Sequence, residues 1–305
     1  MLWMALLGVG LVAGIVMIVD DDDDDVTTDS GSDGDSGSDG GGSDSGGGAD
    51  IASFIGASGD DEIDGDAGNN TVLGKNGDDT LDGLEGDDRV FGDGGNDSVD
   101  GGEGNDSVFG GNGQDLVLGG EGDDLSRGGR DSDLLIDTSG ADTIFGDTGN
   151  DLIVSSGNLL PGTENTIPAV LAQPMDFTQD ADTEGDVVNG GTGDDTMIFG
   201  VGDTVTGGTG EDTFMGLSWL EEGEEATITD FDPDEDNLVY SYHASQTEPV
   251  MTLSLEDNGD GTSDALISAN GELVMRVEDQ DPSTFNLTEH LVLVVGGGTA
   301  TAATV

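Results

Sequence analysis

The sequence predicts an all-β fold: stacked short repeats in two blocks, followed by a small antiparallel β-sheet. Three observations predict it. A nine-residue period runs without a frame slip from Gly56 to Val154, and it returns from Ala181 to Met215. The remaining C-terminal segments are rich in β-branched residues and are separated by turn residues, as is typical of hairpins.

The composition restricts the possible functions. Of 305 residues, 68 are acidic, five are basic and 56 are glycine, giving a formal charge of −63. Such values alone are typical of a disordered chain. Nucleic acid is excluded as a partner because phosphate binding requires the Lys and Arg that this chain lacks. Carboxylates favour hard divalent cations instead. Cysteine is absent, which excludes disulfides and thiolate metal sites.

The N-terminus predicts a membrane or export segment. Residues 1–19 form an apolar run whose helix would be about 28 Å long, close to the hydrocarbon thickness of a bilayer. An uncleaved transmembrane anchor is favoured over a cleaved signal, since the run lacks a basic start and a small-residue exit. A buried soluble helix is the remaining alternative. Residues 20–50, almost only Asp, Ser and Gly, predict a disordered linker.

The first repeat block is assigned to residues 51–154 and contains eleven consecutive nonapeptides. Glycine stands first in ten of them, aspartate sixth in ten and an apolar residue eighth in ten; Asn70 and Ser126 are the exceptions in the last two columns. Each unit divides into a six-residue turn and a three-residue strand. The eighth side chain points to the opposite face from the seventh and ninth, so it should point inward, with two units forming one coil. The predicted inward residues are Ile63, Val72, Leu81, Val90, Val99, Val108, Val117, Ser126, Leu135, Ile144 and Ile153.

The rest of the chain divides into four predicted regions. Residues 155–180 hold three of the six prolines and predict a loop excursion. Residues 181–215 form the second repeat block, in which one unit, residues 199–206, is shortened to eight residues. Residues 216–296 predict the antiparallel β region, and residues 297–305 a disordered tail.

Electrostatics makes the repeats dependent on cations. One inward residue per strand is a thin core that contributes less than ordering nine residues costs. Coils stack at about 4.8 Å, which brings sixth-place aspartates within repelling distance, up to about 4 kcal/mol per close pair at an effective dielectric of 20. A doubly charged ion between each pair reverses the sign of that interaction.

The units GGEGNDSVF, residues 101–109, and GGNGQDLVL, residues 110–118, carry a resemblance to a known family. Their pattern is similar to the G-G-x-G-x-D-x-U-x nonapeptide of RTX (repeats-in-toxin) proteins, also called hemolysin-type calcium-binding repeats. The resemblance implies a parallel β-roll, a calcium-binding solenoid. In such a roll Ca²⁺ lies between the turns of units n and n+2, bound by sixth-place carboxylates and backbone carbonyls.

The resemblance implies ligands at two edges of the roll. One edge would use Asp61, Asp79, Asp97, Asp115, Asp133 and Asp151, and the other Asp88, Asp106, Asp124 and Asp142, preceded by the uncharged Asn70. Six positions leave five gaps and five leave four, so the first block would hold at most nine ions. In the second block Asp186 would pair with Asp203, and Asp195 with Asp212.

Some residues depart from the pattern or extend it. Asp131 replaces the fourth glycine of its unit and Asp137 the first, which puts the neighbouring sites in doubt. The segment at 228–238 resembles the I-x-D-F…D-x-L sequence that often follows the last RTX coil. Asp230 and Asp236 would then serve a terminal ion, although an ordinary strand-turn-strand explains the segment equally well.

No enzymatic motif is visible. His243 and His290 do not form H-E-x-x-H, and there is no Cys nucleophile and no G-x-S-x-G. We therefore expect a non-enzymatic, extracellular or cell-surface protein whose repeats fold on binding several Ca²⁺ ions, with a structural or adhesive role. It would contact the membrane through its N-terminal segment if that segment is not cleaved. The alternatives are a secreted effector or enzyme accessory exported by a type I system, and a permanently disordered acidic polymer.

Overall fold

Successive repeats contribute strands alternately to two β-sheets, and the strands of the repeats pair in parallel within each sheet. The computed structural model describes residues 52–137, 139–156, 184–217, 225–243, 247–283, 285–296 and 301–302. The predicted segments at 1–19 and 20–50 lie outside these ranges, as do nearly all of the predicted excursion and most of the predicted tail. Within the described residues, no helix has the length and apolar character needed to cross a membrane.

The first sheet has twelve strands, nine of them contributed by alternate turns of the chain up to residue 228. In spatial order its strands are β1 (Ala52–Ile55), β3 (Asn70–Asn76), β5 (Arg89–Gly94), β7 (Ser107–Asn112), β9 (Leu125–Arg130), β11 (Thr143–Thr148), β13 (Val187–Thr192), β15 (Thr204–Thr209), β17 (Ala226–Ile228), β21 (Glu272–Gln280), β20 (Ser263–Ala269) and β19 (Met251–Asp257).

The second sheet has eleven strands and lies on the other side of the roll. In spatial order its strands are β2 (Glu62–Asp64), β4 (Thr80–Asp82), β6 (Ser98–Glu103), β8 (Leu116–Glu121), β10 (Leu134–Ile136), β12 (Leu152–Val154), β14 (Thr196–Phe199), β16 (Thr213–Leu217), β18 (Asn237–His243), β22 (Leu291–Gly296) and β23 (Thr301–Ala302).

The strand register confirms the predicted coil of two units. Val90 pairs with Val108, and Val108 with Ser126, so each residue lies beside its counterpart two units away. The same parallel register continues across the predicted excursion, where Thr143 pairs with Val187. The two repeat blocks therefore form one continuous β-roll, because the coils before and after the predicted excursion pair directly.

The C-terminal region combines parallel and antiparallel pairing. Strands β19, β20 and β21 are antiparallel, as predicted. Strand β17 pairs in parallel with β15 and β21, and β18 with β16 and β22, so both sheets of the roll run on into this region. A short helix, α1 (Leu287–His290), precedes β22; Asn286 caps it by accepting from the backbone N–H of Glu289. The C-terminal region thus closes the end of the roll.

The core between the sheets contains the predicted eighth-place residues. All are buried except Ile63 in the first turns, which is partly buried. A second apolar cluster, of seventh- and ninth-place side chains from the second sheet and of Leu217, was not predicted; its buried members are Leu116, Leu134, Ile136, Val154, Ile198 and Leu217. The expectation of one buried apolar residue per strand is therefore incomplete for the second sheet.

Candidate calcium sites

The turns at the two edges of the roll require a left-handed backbone conformation that residues other than glycine rarely adopt. The second and fourth places of the units adopt positive φ, as at Gly111 (φ 122°) and Gly113 (φ 126°). A Cβ on Gly113 would collide with the carbonyl oxygen of Gly95 in the neighbouring coil. Glycine at these places therefore permits both the left-handed backbone and the close stacking of coils. Leu84 (φ 74°) and Asp93 (φ 71°) hold the second place in spite of their side chains.

Sixth-place aspartates form a continuous hydrogen-bonded column along one edge. Each backbone N–H donates to Oδ1 of the aspartate in the next coil, for example Asp79 to Asp97 at 2.8 Å and Asp97 to Asp115 at 2.8 Å. The column crosses the excursion without a break, since the N–H of Asp151 donates to Asp195 at 2.8 Å. In order its members are Asp61, Asp79, Asp97, Asp115, Asp133, Asp151, Asp195 and Asp212.

A matching column runs along the other edge. It begins with Asn70, whose N–H donates to Asp88 at 2.6 Å, and it crosses the excursion from Asp142 to Asp186 at 2.8 Å. In order its aspartates are Asp88, Asp106, Asp124, Asp142, Asp186 and Asp203. The structure therefore brings together every predicted neighbour pair, including the pairs of the second block.

The second carboxylate oxygen distinguishes these aspartates from ordinary turn residues. Every predicted ligand except Asp61 is buried. Among the described residues, the Oδ2 atom is buried without a hydrogen-bond partner in Asp79, Asp88, Asp97, Asp106, Asp115, Asp124, Asp133, Asp142, Asp151 and Asp195. A buried ionised oxygen without a donor is expensive, so these atoms require a cation or a proton.

Backbone oxygens converge on the same spaces. A Cβ built on Gly110 would lie 2.6 Å from Oδ2 of Asp115 and 2.8 Å from the carbonyl oxygen of Gly128 in the next coil. Gly190 has the same surroundings, with Oδ2 of Asp195 at 2.5 Å and the carbonyl oxygen of Gly207 at 2.6 Å. Several anionic and carbonyl oxygens, without sulfur or nitrogen, are the donor set that Ca²⁺ prefers, so these residues fit the ion.

The family comparison agrees with this geometry. A family model described as "RTX calcium-binding nonapeptide repeat (4 copies)" matches residues 44–81, 64–99, 73–108, 82–117, 91–126, 127–157, 180–205 and 202–218. Together the matches span 44–157 and 180–218, half of the chain. The chain belongs to the RTX calcium-binding repeat family. It is a Ca²⁺-binding β-roll protein, and its repeated buried aspartates are consistent with multiple ions.

Other comparisons are less informative. No curated protein matches this RTX chain significantly. Among solved structures, a solution structure of the AlgE6R3 subunit from the Azotobacter vinelandii mannuronan C5-epimerase aligns with 63% of this chain and 84% of its own, at 19% identity and a TM-score of 0.28. That score is too low for the likeness to bear on fold or function.

Burial changes the acidity of the RTX columns. Burial raises the pKa of Asp133 to about 8 and that of Asp97 to about 7, against the hydrogen bonds that their Oδ1 atoms accept. The neighbouring carboxylates of the column raise these pKa values further. The pKa of Asp106 rises to about 6 for the same reasons. Without a cation, the columns therefore hold protons that exposed aspartates would have lost.

The ends of the columns differ from their middle. Oδ2 of Asp61 accepts from the N–H of Ala57 at 2.7 Å, so the first coil supplies its own donor. At the other end, the N–H of Asp212 donates to Oδ1 of Asp236 at 3.0 Å, which extends the first column by one residue. Asp230 accepts from the N–H groups of Gly207 and Gly208, both at 2.8 Å. The segment predicted to follow the last coil thus joins it through both aspartates.

Fifth-place residues form a further ladder, which sequence reasoning missed. Their side-chain oxygens accept from the N–H two units later, as from Asn96 to Asp78 at 2.8 Å and from Gln114 to Asn96 at 2.9 Å. The bonds run in the opposite direction to those of the sixth place, so each turn is fastened to both neighbouring coils. The recurrence of Asp and Asn at the fifth place was the available signal.

Proposed function

We propose that this chain is a non-enzymatic structural or adhesive protein of the cell exterior, and that its β-roll forms only when Ca²⁺ fills the two aspartate columns. The observation that carries the proposal is the row of buried Oδ2 atoms without donors. Fourteen ligands are proposed: Asp61, Asp79, Asp88, Asp97, Asp106, Asp115, Asp124, Asp133, Asp142, Asp151, Asp186, Asp195, Asp203 and Asp212.

The residues of the two columns explain why the roll would fold only when Ca²⁺ binds. At neutral pH an ion-free roll would bury its column carboxylates either as like charges without a counterion or as carboxyls that hold protons, and its thin core does not offset that cost. The bound ion supplies positive charge between coils. The backbone N–H groups hold each Oδ1, and the glycines leave room for oxygens of the next coil to approach. Binding free energy thereby becomes folding free energy.

The distribution of buried charge supports a non-catalytic role. Among the residues whose burial the structure describes, which leave out His243, every buried aspartate except Asp137 belongs to one of the two columns, and no glutamate, lysine, arginine or histidine is buried. His290 accepts from the N–H of Asn286 at 3.1 Å and packs against Phe285, with ring centroids 5.3 Å apart. Its contacts are those of a packing residue.

The difference in free Ca²⁺ concentration between the cell exterior and the cytosol supports an exterior location. Extracellular calcium modules bind at about 10⁻⁴ to 10⁻³ M, far above the free calcium of the cytosol. A chain of this kind stays unfolded during export and folds outside. The predicted anchor at 1–19, the linker at 20–50 and the remaining domain boundaries belong to this proposal.

Circular dichroism of the full chain during a Ca²⁺ titration tests the switch. We expect a cooperative gain of β signal at roughly millimolar Ca²⁺, and no such gain with Mg²⁺, which binds flexible oxygen sites poorly. An unchanged spectrum with Ca²⁺ would contradict the proposal.

Cell fractionation tests the location. Intact protein that retains Met1 in membrane fractions supports the anchor, and processed protein free in the medium contradicts it.

A further inference from the structure

Two departures from the repeat pattern contact each other inside the roll. Asp137 stands in the first place of its unit, where the other units of the first block have glycine. Ser126 stands in the eighth place, where the others have an apolar residue. The Ser126 hydroxyl donates to Oδ2 of Asp137 at 2.9 Å, and both residues are buried. The serine in the core thus supplies a polar partner to the additional aspartate.

Asp137 also lies against the second column. One carboxylate oxygen from each of Asp124, Asp137 and Asp142 lies within 4.8 Å of the other two. All three residues are buried, with 4%, 1% and 1% of their surface exposed. A Cβ on Gly119 would collide with both oxygens of Asp137, so glycine at that position makes the space for the third carboxylate.

An unpartnered atom indicates that this group is built for a ligand. Oδ1 of Asp137, in a side chain that is almost completely buried, has no hydrogen-bond partner, and neither has Oδ2 of Asp124 or of Asp142. A proton shared between two of these carboxyl groups would serve only that pair. The Ser126 hydroxyl already serves the other Asp137 oxygen, so a cation is the group that would satisfy all three.

Size and charge specify which cation. Oxygens bound to one Ca²⁺ at about 2.3–2.6 Å lie at most about 5 Å apart. Three carboxylate oxygens that all lie within 4.8 Å of one another can therefore bind the same ion. We propose that Asp124, Asp137 and Asp142, with the Ser126 hydroxyl, form a three-carboxylate Ca²⁺ site that binds more tightly than the two-carboxylate sites of the same column. Because calcium affinity rises with the number of ligand charges, this site fills first. The inference rests on the proposed role of Asp124 and Asp142 as ligands.

The test compares Ca²⁺ titrations of the full chain and its variants by calorimetry, with circular dichroism at saturating Ca²⁺ as the measure of folding. The double variant Asp137→Gly, Ser126→Val restores the repeat pattern, so it should fold. We expect it to lose the tightest binding step and keep the weaker ones. Asp137→Asn preserves size and should weaken that step about 10- to 100-fold, the loss caused even by removing an outer partner of a metal.

Asp131→Gly is the matched control. It also restores a pattern glycine, in the preceding unit, but Asp131 is exposed, so the tight step should remain. A tight step that persists in both Asp137 variants overturns the inference and leaves Asp137 as a buried carboxyl that holds a proton. The proposed function fails separately, if the unaltered chain gains no β signal with Ca²⁺.

Discussion

The coils of the roll and the C-terminal region share two sheets but are stabilised in different ways. Each coil buries a few apolar side chains beside two anionic columns. The C-terminal region buries large side chains instead, among them Phe231, Tyr240, Met275 and Phe285. Phe231 contacts both Phe214 of the last coil, at 5.9 Å between centroids, and Phe285, at 6.0 Å. Large apolar side chains thus form the core at one end of the roll, whereas the coils combine a thin apolar core with buried carboxylates.

This contrast assigns a role to the C-terminal region. Strands β17 and β18 present parallel edges to the last coil, in register with β15 and β16. We expect the region to fold first and to act as the template on which coils form, because its apolar core does not require an ion.

Removal of Ca²⁺ should cause the largest difference in stability between the coils of the roll and the C-terminal region. In chelator we expect residues 56–215 to lose nearly all protection against hydrogen exchange, while β18, β20 and β21 keep theirs. Mass spectrometry of the full chain measures both at once. Equal loss of protection in the two regions would show that the C-terminal region is not an independent template.

Acidification should weaken calcium binding and stabilise the ion-free roll. Column aspartates have a pKa raised by burial, to about 7 for Asp124 and about 6 for Asp115, above that of the unfolded chain. The native columns therefore bind protons before the unfolded chain does, and ion-free stability rises as pH falls from about 8 towards about 4. Protons also compete with Ca²⁺, so binding at pH 5.5 should be weaker than at pH 7.5.

The C-terminal region provides the contrast in the same experiment. Hydrogen bonds from the side chain and backbone of Ser283 lower the pKa of Asp281. This group therefore loses its stabilising effect only as pH falls through that lowered value. Calcium titrations and circular dichroism at several pH values measure both regions. An ion-free roll that becomes less stable as the pH falls from 8 to 5 would contradict the raised pKa values of the column aspartates.

Phe231→Ala should damage the junction between the regions. Truncation of a buried Phe costs about 3–5 kcal/mol, and here it removes contacts to both the last coil and the C-terminal core. Urea unfolding at saturating Ca²⁺ measures the loss. Phe91→Ala is the matched control, since Phe91 stacks on Phe109 at 4.9 Å in a half-buried position and should cost only about 1 kcal/mol. Equal losses would contradict the template role.

Asp106→Asn should have a local effect on the ions. Asparagine keeps an Oδ1 that can accept from the N–H of Asp88, as Oδ1 of Asp106 does. Loss of the charge should weaken the two sites on either side by at least about 10- to 100-fold. Glu103→Gln in the same turn, at an exposed third place, is the control; it also removes one charge but no column ligand, so it should leave affinity nearly unchanged. Unchanged Ca²⁺ stoichiometry and affinity in Asp106→Asn would contradict the proposed pairing of the column.

Most of the roll could be predicted because its physics is local and repeated. A side-chain period of two in a strand and a nine-residue unit require the eighth residue, such as Val108, to point inward. The second apolar cluster around Leu116 and Leu134 escaped prediction, since a seventh-place residue has no local reason to be buried. The continuity of the two blocks could not be predicted either. Asp142 pairs with Asp186 across a segment of the sequence that has no nine-residue period.

Residue type at a fixed spacing predicts the period and the inward column, and the resemblance to the RTX repeat supplied the predicted ligands and the expectation of Ca²⁺. Only the tertiary structure decided that Asp137 meets Ser126 and joins Asp124 and Asp142. Read along the chain, those two residues look like defects in separate units. Stacking places them in adjacent coils beside the second column, where one oxygen of Asp137 is buried without a donor, and the two exceptions become part of a candidate metal site.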